Sequence, residues 1–227
     1  MPLIGPAAMV AIYDVDEGWD AKHDHWHSLE HMHERVGIPG FLRGRRYLAQ
    51  AGGKRCFVLY ETSAFEVLTS EAYLTCLNNP TPWSSETVPH FKNAARTLCR
   101  VSVSVGHGIG GEMAYVGLSP KASGSEDLRR TLGAELERLI EQPGILAAHL
   151  LEGDDAASRI ETKEKALRGR ADSVDDWLLL VEGYGDPGEA LESGPIARDA
   201  LLTLGAREVG EVTRYTLGAL LHEDEVR

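Results

Sequence analysis

The chain has 227 residues, 43% hydrophobic and 26% charged, which is typical of a globular protein with one large domain or two small ones. No apolar run approaches the ~20 residues of a membrane span, and the N-terminus lacks the basic and apolar regions of a secretory signal. The cysteines are odd in number and widely spaced, which argues against a disulfide framework or a cysteine zinc site and favours the cytoplasm: Cys56, Cys76 and Cys99.

The charge balance excludes further classes of partner. The chain has 23 Lys and Arg against 35 Asp and Glu, a net charge of −12, so its surface repels nucleic acid and anionic lipid at long range. Residues 1–112 carry a net charge of −2 and residues 113–227 a net charge of −10. The less acidic half contains the basic cluster Arg43, Arg45 and Arg46, which suits a small anionic ligand but not a polynucleotide.

The first half of the chain is predicted to fold as βαββαβ. Pro39-Gly40 ends its first helix, Ser63 and Glu66 form a capping box, and the glycine-rich segment 106–111 is interpreted as a linker. In chain order the predicted elements are strand 8–15, helix 19–36, strands 41–50 and 55–61, helices 63–77 and 85–95, and strand 98–105.

The second half repeats this order. Pro143-Gly144 ends its first helix as Pro39-Gly40 does, and a polar insertion, residues 153–173, is predicted to form an exposed loop or short helix. The predicted elements are strand 113–118, helix 125–141, strands 145–152 and 177–184, helix 195–204 and strand 211–221.

These patterns predict an α+β protein made of two tandem ferredoxin-like units, residues 1–112 and 113–227. Each unit would form a four-stranded antiparallel sheet with helices on one face. The bare faces of the two sheets would then cover each other, because either face alone would expose a large apolar patch.

Three short motifs resemble the dimeric α+β barrel superfamily, specifically its EthD-like branch: WHSLEHMHER at 26–35, IPGF at 38–41 and RRY at 45–47. The resemblance covers residues 8–105, whereas the second half matches only in element order. His27 replaces a frequent Tyr of the family, and His33 a frequent Pro. The resemblance implies a cleft between helices and sheet; relatives include cofactor-free isomerases, cyclases, decarboxylases and some haem enzymes, so the fold does not name a reaction.

The first helix is rich in histidine, with five of the nine histidines in an 11-residue window: His23, His25, His27, His31 and His33. A helical wheel at ~100° per residue groups the apolar positions on one arc: Trp19, Trp26, Leu29, Met32 and Val36. That arc includes His33 and excludes His27 and His31. The wheel therefore predicts that His33 is buried, whereas the resemblance favours His31 in the cleft.

Three interpretations of this helix compete. His31 can act as a general acid or base, oriented by Glu30 and assisted by Arg35. His23, His27 and His31 are four residues apart and can supply metal ligands. The third interpretation is a polar helix whose histidines are solvated or bound to the backbone.

The leading hypothesis is a cytoplasmic lyase or isomerase without a redox cofactor or metal, with His31, Glu30 and Arg35 as catalytic residues. Trp26, His27, Arg45, Arg46 and Tyr47 would bind an anionic or aromatic small molecule. The alternatives are a non-catalytic small-ligand-binding or stress-associated protein, and a haem or metal protein with histidine ligands. No nucleic-acid or membrane partner is expected, and homodimerisation remains open.

The second half lacks the distinctive residues of the histidine-rich helix. Alignment of the two Pro-Gly pairs places four unrelated residues opposite Trp26, Glu30, His31 and Arg35, namely Arg130, Ala134, Glu135 and Leu139. A functional site is therefore expected in the first half, with the second half mainly structural.

Overall fold

The computed structural model describes residues 3–226. The first half contains four long strands: β1 (Ala7–Val15), β2 (Phe41–Ala49), β3 (Cys56–Thr62) and β4 (Phe91–Gly106). Helix α1 (Asp20–Trp26) passes through a π-helical turn (His27–His31) directly into α2 (Met32–Val36). Two further short helices, α3 (Glu71–Asn78) and α4 (Pro82–Thr87), precede β4, and 3-10 turns cover Phe65–Thr69 and Val88–His90.

The second half follows the same plan. Its strands are β5 (Glu112–Pro120), β6 (Ile145–Gly153), β7 (Trp177–Gly183), β8 (Ala206–Val209) and β9 (Thr213–His222). Helix α5 (Ser125–Leu139) corresponds in position to the histidine-rich helix. The remaining elements are α6 (Asp155–Ser158), α7 (Lys163–Leu167), α8 (Pro187–Glu192), α9 (Arg198–Leu204) and a final 3-10 turn (Glu223–Glu225).

The strands form one closed antiparallel sheet. The first half has the order β4-β1-β3-β2, and the second half continues it as β9-β5-β7-β6, with β8 paired to β5. Pairing of β4 with β6 and of β2 with β9 closes the ring; Ser104 lies opposite His149, and Arg45 lies opposite Leu220. The predicted fold class, a pseudo-dimeric α+β barrel, is confirmed, and the two sheets are joined edge to edge.

The barrel interior contains a buried ionic network among largely apolar side chains. Arg45 donates to Glu182 at 2.8 Å and lies 3.2 Å from Glu61, and Tyr47 accepts a hydrogen bond from Arg45 at 2.8 Å. Nε2 of His149 lies 3.1 Å from Oε1 of Glu182, the oxygen that also accepts the 2.8 Å bond from Arg45. Because these charged side chains are fully buried, their mutual pairing offsets the cost of removing them from water.

Several predicted boundaries were wrong for identifiable reasons. Residues 91–95 begin strand β4 instead of ending a helix, because α4 stops and a 3-10 turn containing Pro89 separates it from the sheet. The predicted capping box at Ser63 opens only a 3-10 turn, and Ser70 caps α3 instead by accepting a bond from the Tyr73 amide. A separate helix, α8, precedes α9 where the sequence indicated no element.

The polar insertion contains short helices, one of the two predicted alternatives, and it folds against the barrel instead of forming an exposed loop. It contains α6 and α7, and Ser173 exchanges backbone hydrogen bonds with Ala94 and Arg96 of β4. Ser158 accepts a hydrogen bond from the Leu98 amide at 2.9 Å, so the insertion is fixed at two points along the same strand.

Among residues 3–226, no helix is long and apolar enough to cross a membrane.

Candidate active site between the first-half helix and the sheet

The π-helical turn changes which side of the helix faces the sheet. The Met32 amide donates to the His27 carbonyl, five residues back, in place of the four-residue bond of an α-helix. In a regular α-helix, residues four apart drift by about 40° per step. The wider turn compensates this drift, so the four-residue series His23, His27, His31 and Arg35 stays on one buried stripe.

The wheel prediction for His33 was therefore wrong. His31 is only 7% exposed, whereas His33 is half-buried and Leu29, expected in the apolar arc, is 61% exposed. The wheel assumed a constant α-helical angle through 27–31, which the π turn violates. The residue favoured by the resemblance, His31, is the one that faces the sheet.

A glycine allows the close approach of this helix to the sheet. A β-carbon on Gly44 of β2 would lie 2.8 Å from the Tyr60 ring and 3.0 Å from the Val36 side chain. The sheet that faces this helix is also irregular. A β-bulge at Tyr13 interrupts the pairing of β1 with β4. Bulges of both kinds are frequent beside functional sites because they redirect individual side chains.

A cavity lies between the histidine stripe and the outer face of the first-half sheet. The empty space of the cavity, with its opening to solvent included, is about 460 Å³. The sheet supplies a largely apolar and aromatic floor, the helix supplies imidazoles and a guanidinium, and the insertion supplies one side. The lining residues are Met9, Ala11, Tyr13, His27, His31, Arg35, Val58, Tyr60, Tyr73, Phe91, Ala94, Ala95, Arg96, Glu164 and Arg168.

His31 and His27 are neutral imidazoles. Burial, together with the positive charge of Arg35, lowers the pKa of His31 well below its usual 6.5. Burial also lowers the pKa of His27, with a further contribution from His23. Nδ1 of both rings is buried without a hydrogen-bond partner, and Nδ1 of His31 lies 3.8 Å from Glu34, too far for a hydrogen bond. A neutral imidazole can accept a proton at neutral pH.

His23 differs from the other two histidines because both of its ring nitrogens are occupied. Nε2 lies 2.8 Å from the Tyr13 hydroxyl, and Nδ1 lies 3.0 Å from the Asp24 carboxylate. His23 thus connects the helix to β1 and contributes no free ligand. Among residues 3–226, no group of three His, Cys, Asp or Glu side chains is arranged to hold a metal ion.

An ion pair from the insertion closes one side of the cavity. Arg35 donates to Glu164 of α7 and, at 2.7 Å, to the Cys76 sulfur of α3. The Arg35 side chain is 2% exposed, and Glu164 raises its already high pKa, so the guanidinium stays charged. The second half of the chain thereby contributes directly to the first-half cavity.

Two further arginines line the cavity. Arg96 of β4 donates to the Tyr73 hydroxyl at 3.0 Å, and its guanidinium lies 5.8 Å from the centre of that ring. Arg168 follows α7 and forms a two-pronged ion pair with Asp172, at 3.0 and 2.6 Å.

Comparison with known proteins identifies the fold. No family model and no curated protein matches the chain. Among solved structures, an anthrone oxidase-like protein aligns with a TM-score of 0.67 at 11% identity, covering 100% of this chain and 98% of that chain. A candidate monooxygenase of Fusobacterium nucleatum aligns with a TM-score of 0.62 at 9% identity, covering 96% and 95%. A haem-binding protein of Thermus thermophilus aligns with a TM-score of 0.52 at 11% identity, covering 98% and 94%.

The chain has the dimeric α+β barrel fold. Identities this low establish the architecture alone. The resemblance to the superfamily is thus confirmed at the level of fold, and its EthD-like branch stays a prediction.

Within this α+β barrel, the predicted site residues separate into two groups. His27, His31 and Arg35 line the cavity, and the Trp26 ring packs against His31 with centroids 4.2 Å apart. Glu30 lies outside it, because its carboxylate accepts hydrogen bonds from Thr81 at 2.6 Å and Ser84 at 3.4 Å. Glu30 thus joins the helix to α4 and does not orient His31.

The predicted substrate-binding residues of β2 do not lie with the histidines. Arg45 and Tyr47 point into the barrel, where they belong to the network around Glu182. Arg46 faces the helix but donates to the Asp24 carbonyl at 3.1 Å, toward the start of the helix and away from the cavity. Strand alternation explains the separation, since neighbouring residues of β2 point to opposite faces of the sheet.

Sequence reasoning missed the sheet and insertion residues of the barrel's cavity. Tyr60 and Arg96 lie on strands whose outward faces became identifiable only once the position of the helix was known. Glu164 and Arg168 come from the insertion, and no motif there indicated that it would pack against a helix more than 120 residues earlier.

Proposed function

We propose that the protein is a small-molecule enzyme in which neutral His31 removes a proton from a weakly acidic carbon or phenol of its substrate. The observation that carries the proposal is the buried, neutral imidazole of His31 on the wall of a cavity lined by apolar, aromatic and basic side chains. A base suited to neutral pH must be unprotonated there, and burial beside Arg35 keeps His31 in that form.

The lining supports an aromatic or unsaturated substrate. Met9, Val58 and Phe91 offer apolar contacts, and Tyr60 and Tyr73 offer aromatic faces with hydroxyl groups. Proton removal from such a compound is the first step of isomerisation or elimination, and also of oxygenation through a carbanion or phenolate. The description of one structural neighbour as anthrone oxidase-like supports an aromatic substrate.

The other residues of the helix position the base. Trp26 packs against the His31 ring and donates its indole N–H to Ser84 at 3.2 Å, which fixes the plane against which the imidazole rests. Arg35, held by Glu164, favours the neutral form of His31 electrostatically. We assign the base to unit 1–112 and a mainly structural role to unit 113–227, apart from the contribution of α7.

Exchange of substrate hydrogen for deuterium tests this proposal. The protein is incubated in D₂O with a panel of enolisable ketones and aromatic compounds that carry a weakly acidic C–H group, and loss of that C–H signal is followed by NMR. We expect catalysed exchange with at least one compound, reduced about 10²–10⁴-fold in His31→Gln. His33→Gln, on the same helix but outside the cavity, is the matched control. Binding without exchange would contradict the enzyme proposal and favour a non-catalytic ligand-binding protein.

The same neutral imidazole supports haem binding as a second candidate. A neutral histidine nitrogen is the form that ligates haem iron, and one structural neighbour is described as haem-binding. His31 would be the ligand, since both nitrogens of His23 are occupied and Nε2 of His27 lies 3.5 Å from the Tyr60 hydroxyl. Titration with haemin, followed by visible absorption, tests this candidate: a saturable spectral change in the wild type that is lost in His31→Gln would favour it over proton transfer.

A further inference from the structure

The cavity and the groove beside it form a basic region in an acidic protein. Three arginines line the cavity, and the adjoining groove shares Arg168 and adds Lys54 and Arg170. These five cations face only two carboxylates, Glu164 and Asp172, although the whole chain carries a net charge of −12. The charged side chains that line this region are therefore net positive, in contrast to the whole chain, and a cluster of positive side chains favours the binding of anions.

Two of the cavity arginines already have anionic partners and Arg96 does not. Arg35 is paired with Glu164 and Arg168 with Asp172. In the part of the chain that the structure describes, no carboxylate lies within ion-pairing distance of Arg96, whose side-chain partner is the neutral Tyr73 hydroxyl. A guanidinium keeps its proton here, so a partly buried positive charge without a directly paired carboxylate remains at the cavity wall, and Glu164 and Asp172 act on it only at longer range.

An anionic ligand would supply the missing partner of Arg96. The planar guanidinium matches a carboxylate, to which it can donate two parallel hydrogen bonds. Arg96 lies on the sheet side of the cavity and His31 on the helix side, with Tyr60, Val58 and Phe91 in the same lining. A ligand with a carboxylate at one end and an aromatic or unsaturated body would therefore meet both groups at once.

Resting on the proposed function, we propose that the substrate is a carboxylate-bearing aromatic or unsaturated compound whose carboxylate pairs with Arg96. Arg96 is thus the residue that selects acids over neutral analogues, and the basic groove accelerates their capture. This role differs from that of the base, because it acts on binding and leaves proton transfer to His31.

Binding of hydroxybenzoates and of the matching hydroxybenzamides, measured by NMR titration, tests the proposal. These probes have the same ring and differ in the charge of one group. We expect wild-type protein to bind at least one carboxylate about tenfold or more tightly than its amide. Arg96→Gln should remove that preference, whereas Arg100→Gln, four residues along the same strand and exposed, should keep it.

Further variants separate this inference from the proposed function. His31→Gln should retain the carboxylate preference while losing exchange, so a failure of exchange alone contradicts only the enzyme proposal. If Arg96→Gln folds poorly, Arg96→Lys serves as the second variant. It keeps the positive charge and should keep part of the preference for the carboxylate over the amide. Equal affinity for acid and amide in the wild type, no binding of any carboxylate in the panel, or a preference that survives in Arg96→Gln would each overturn the inference.

Discussion

The two halves of the barrel bury their first helices in different ways. In the second half, Leu128, Leu132 and Leu136 lie four residues apart on α5 and pack against apolar strand residues. In the first half, the corresponding buried series is His23, His27 and His31. The second-half interface is a continuous hydrophobic core, whereas the first-half interface contains a cavity with neutral imidazoles.

This comparison also corrects the alignment made from the Pro-Gly pairs. That alignment placed Glu135 opposite His31, but Glu135 is half-buried and pairs with Arg138 on the helix surface. Burial matches Leu136 with His31 instead, a shift of one residue, because the first helix contains the extra residue of its π turn. The same architecture thus serves stability in one half and exposes polar groups to a cavity in the other.

The largest effect on stability is expected from truncating the leucine interface. Leu132→Ala removes a fully buried side chain from a close-packed core and should lower the free energy of unfolding by about 2–5 kcal/mol. Urea denaturation measures this change. Glu137→Ala, exposed on the same helix, is the control and should shift stability by less than about 0.5 kcal/mol. A small loss in Leu132→Ala would show that this interface is not the tightly packed half of the barrel.

A smaller loss of stability is expected from breaking the ion pair between Arg35 and Glu164, through which the second half closes the first-half cavity. Glu164→Gln leaves the Arg35 guanidinium without its anionic partner. Because α7 can detach locally and let water reach the guanidinium, we expect the free energy of unfolding to fall by only about 1–3 kcal/mol. Hydrogen exchange of the amides of residues 155–173 should accelerate more than that of the strands. Glu161→Gln, an exposed change in the same segment, should leave exchange almost unaltered; equal exchange in both variants would contradict closure by the ion pair.

The smallest expected effect is on the pH dependence of stability. Buried imidazoles in the first half should produce such a dependence, whereas the buried leucines of α5 cannot. The folded-state pKa values of His27 and His31 lie below 6.5, so the unfolded chain binds more protons as the pH falls through that value. Stability contributed by their neutral forms is therefore complete above about pH 6.5 and decreases below it, by up to about 1.4 kcal/mol per pH unit for each ring.

Replacing both rings with leucine should flatten this dependence. We expect the double variant His27→Leu, His31→Leu to lose less stability than the wild type between about pH 6.5 and 5. Above that range it should be at least as stable, since two unpartnered buried nitrogens are removed. His25→Leu, at an exposed position of the same helix, is the control. Parallel pH profiles for the wild type and the double variant would mean that the pKa values of these rings do not fall on folding.

The sequence by itself determined the order of the main strands and of the first helix in each half, the internal repeat and the fold class. Alternating strands and the two Pro-Gly helix ends depend on backbone preferences and side-chain periodicity, which act over a few residues. The histidine-rich segment also marked the correct helix, and the motif correctly favoured His31 as the buried position. Each of these features can be inferred from neighbours along the chain.

Tertiary structure decided which of those residues meet. The π turn is compatible with many helical sequences, and it places His31 toward the sheet only because the fit of helix to strands selects it. Arg45 and Tyr47 adjoin Arg46 in sequence yet point into the barrel, where Glu182 from the other half provides a partner. Glu164 reaches Arg35 only after the insertion packs against β4. Contacts between segments far apart in sequence leave no local pattern, so the cavity's polar side chains became apparent only in three dimensions.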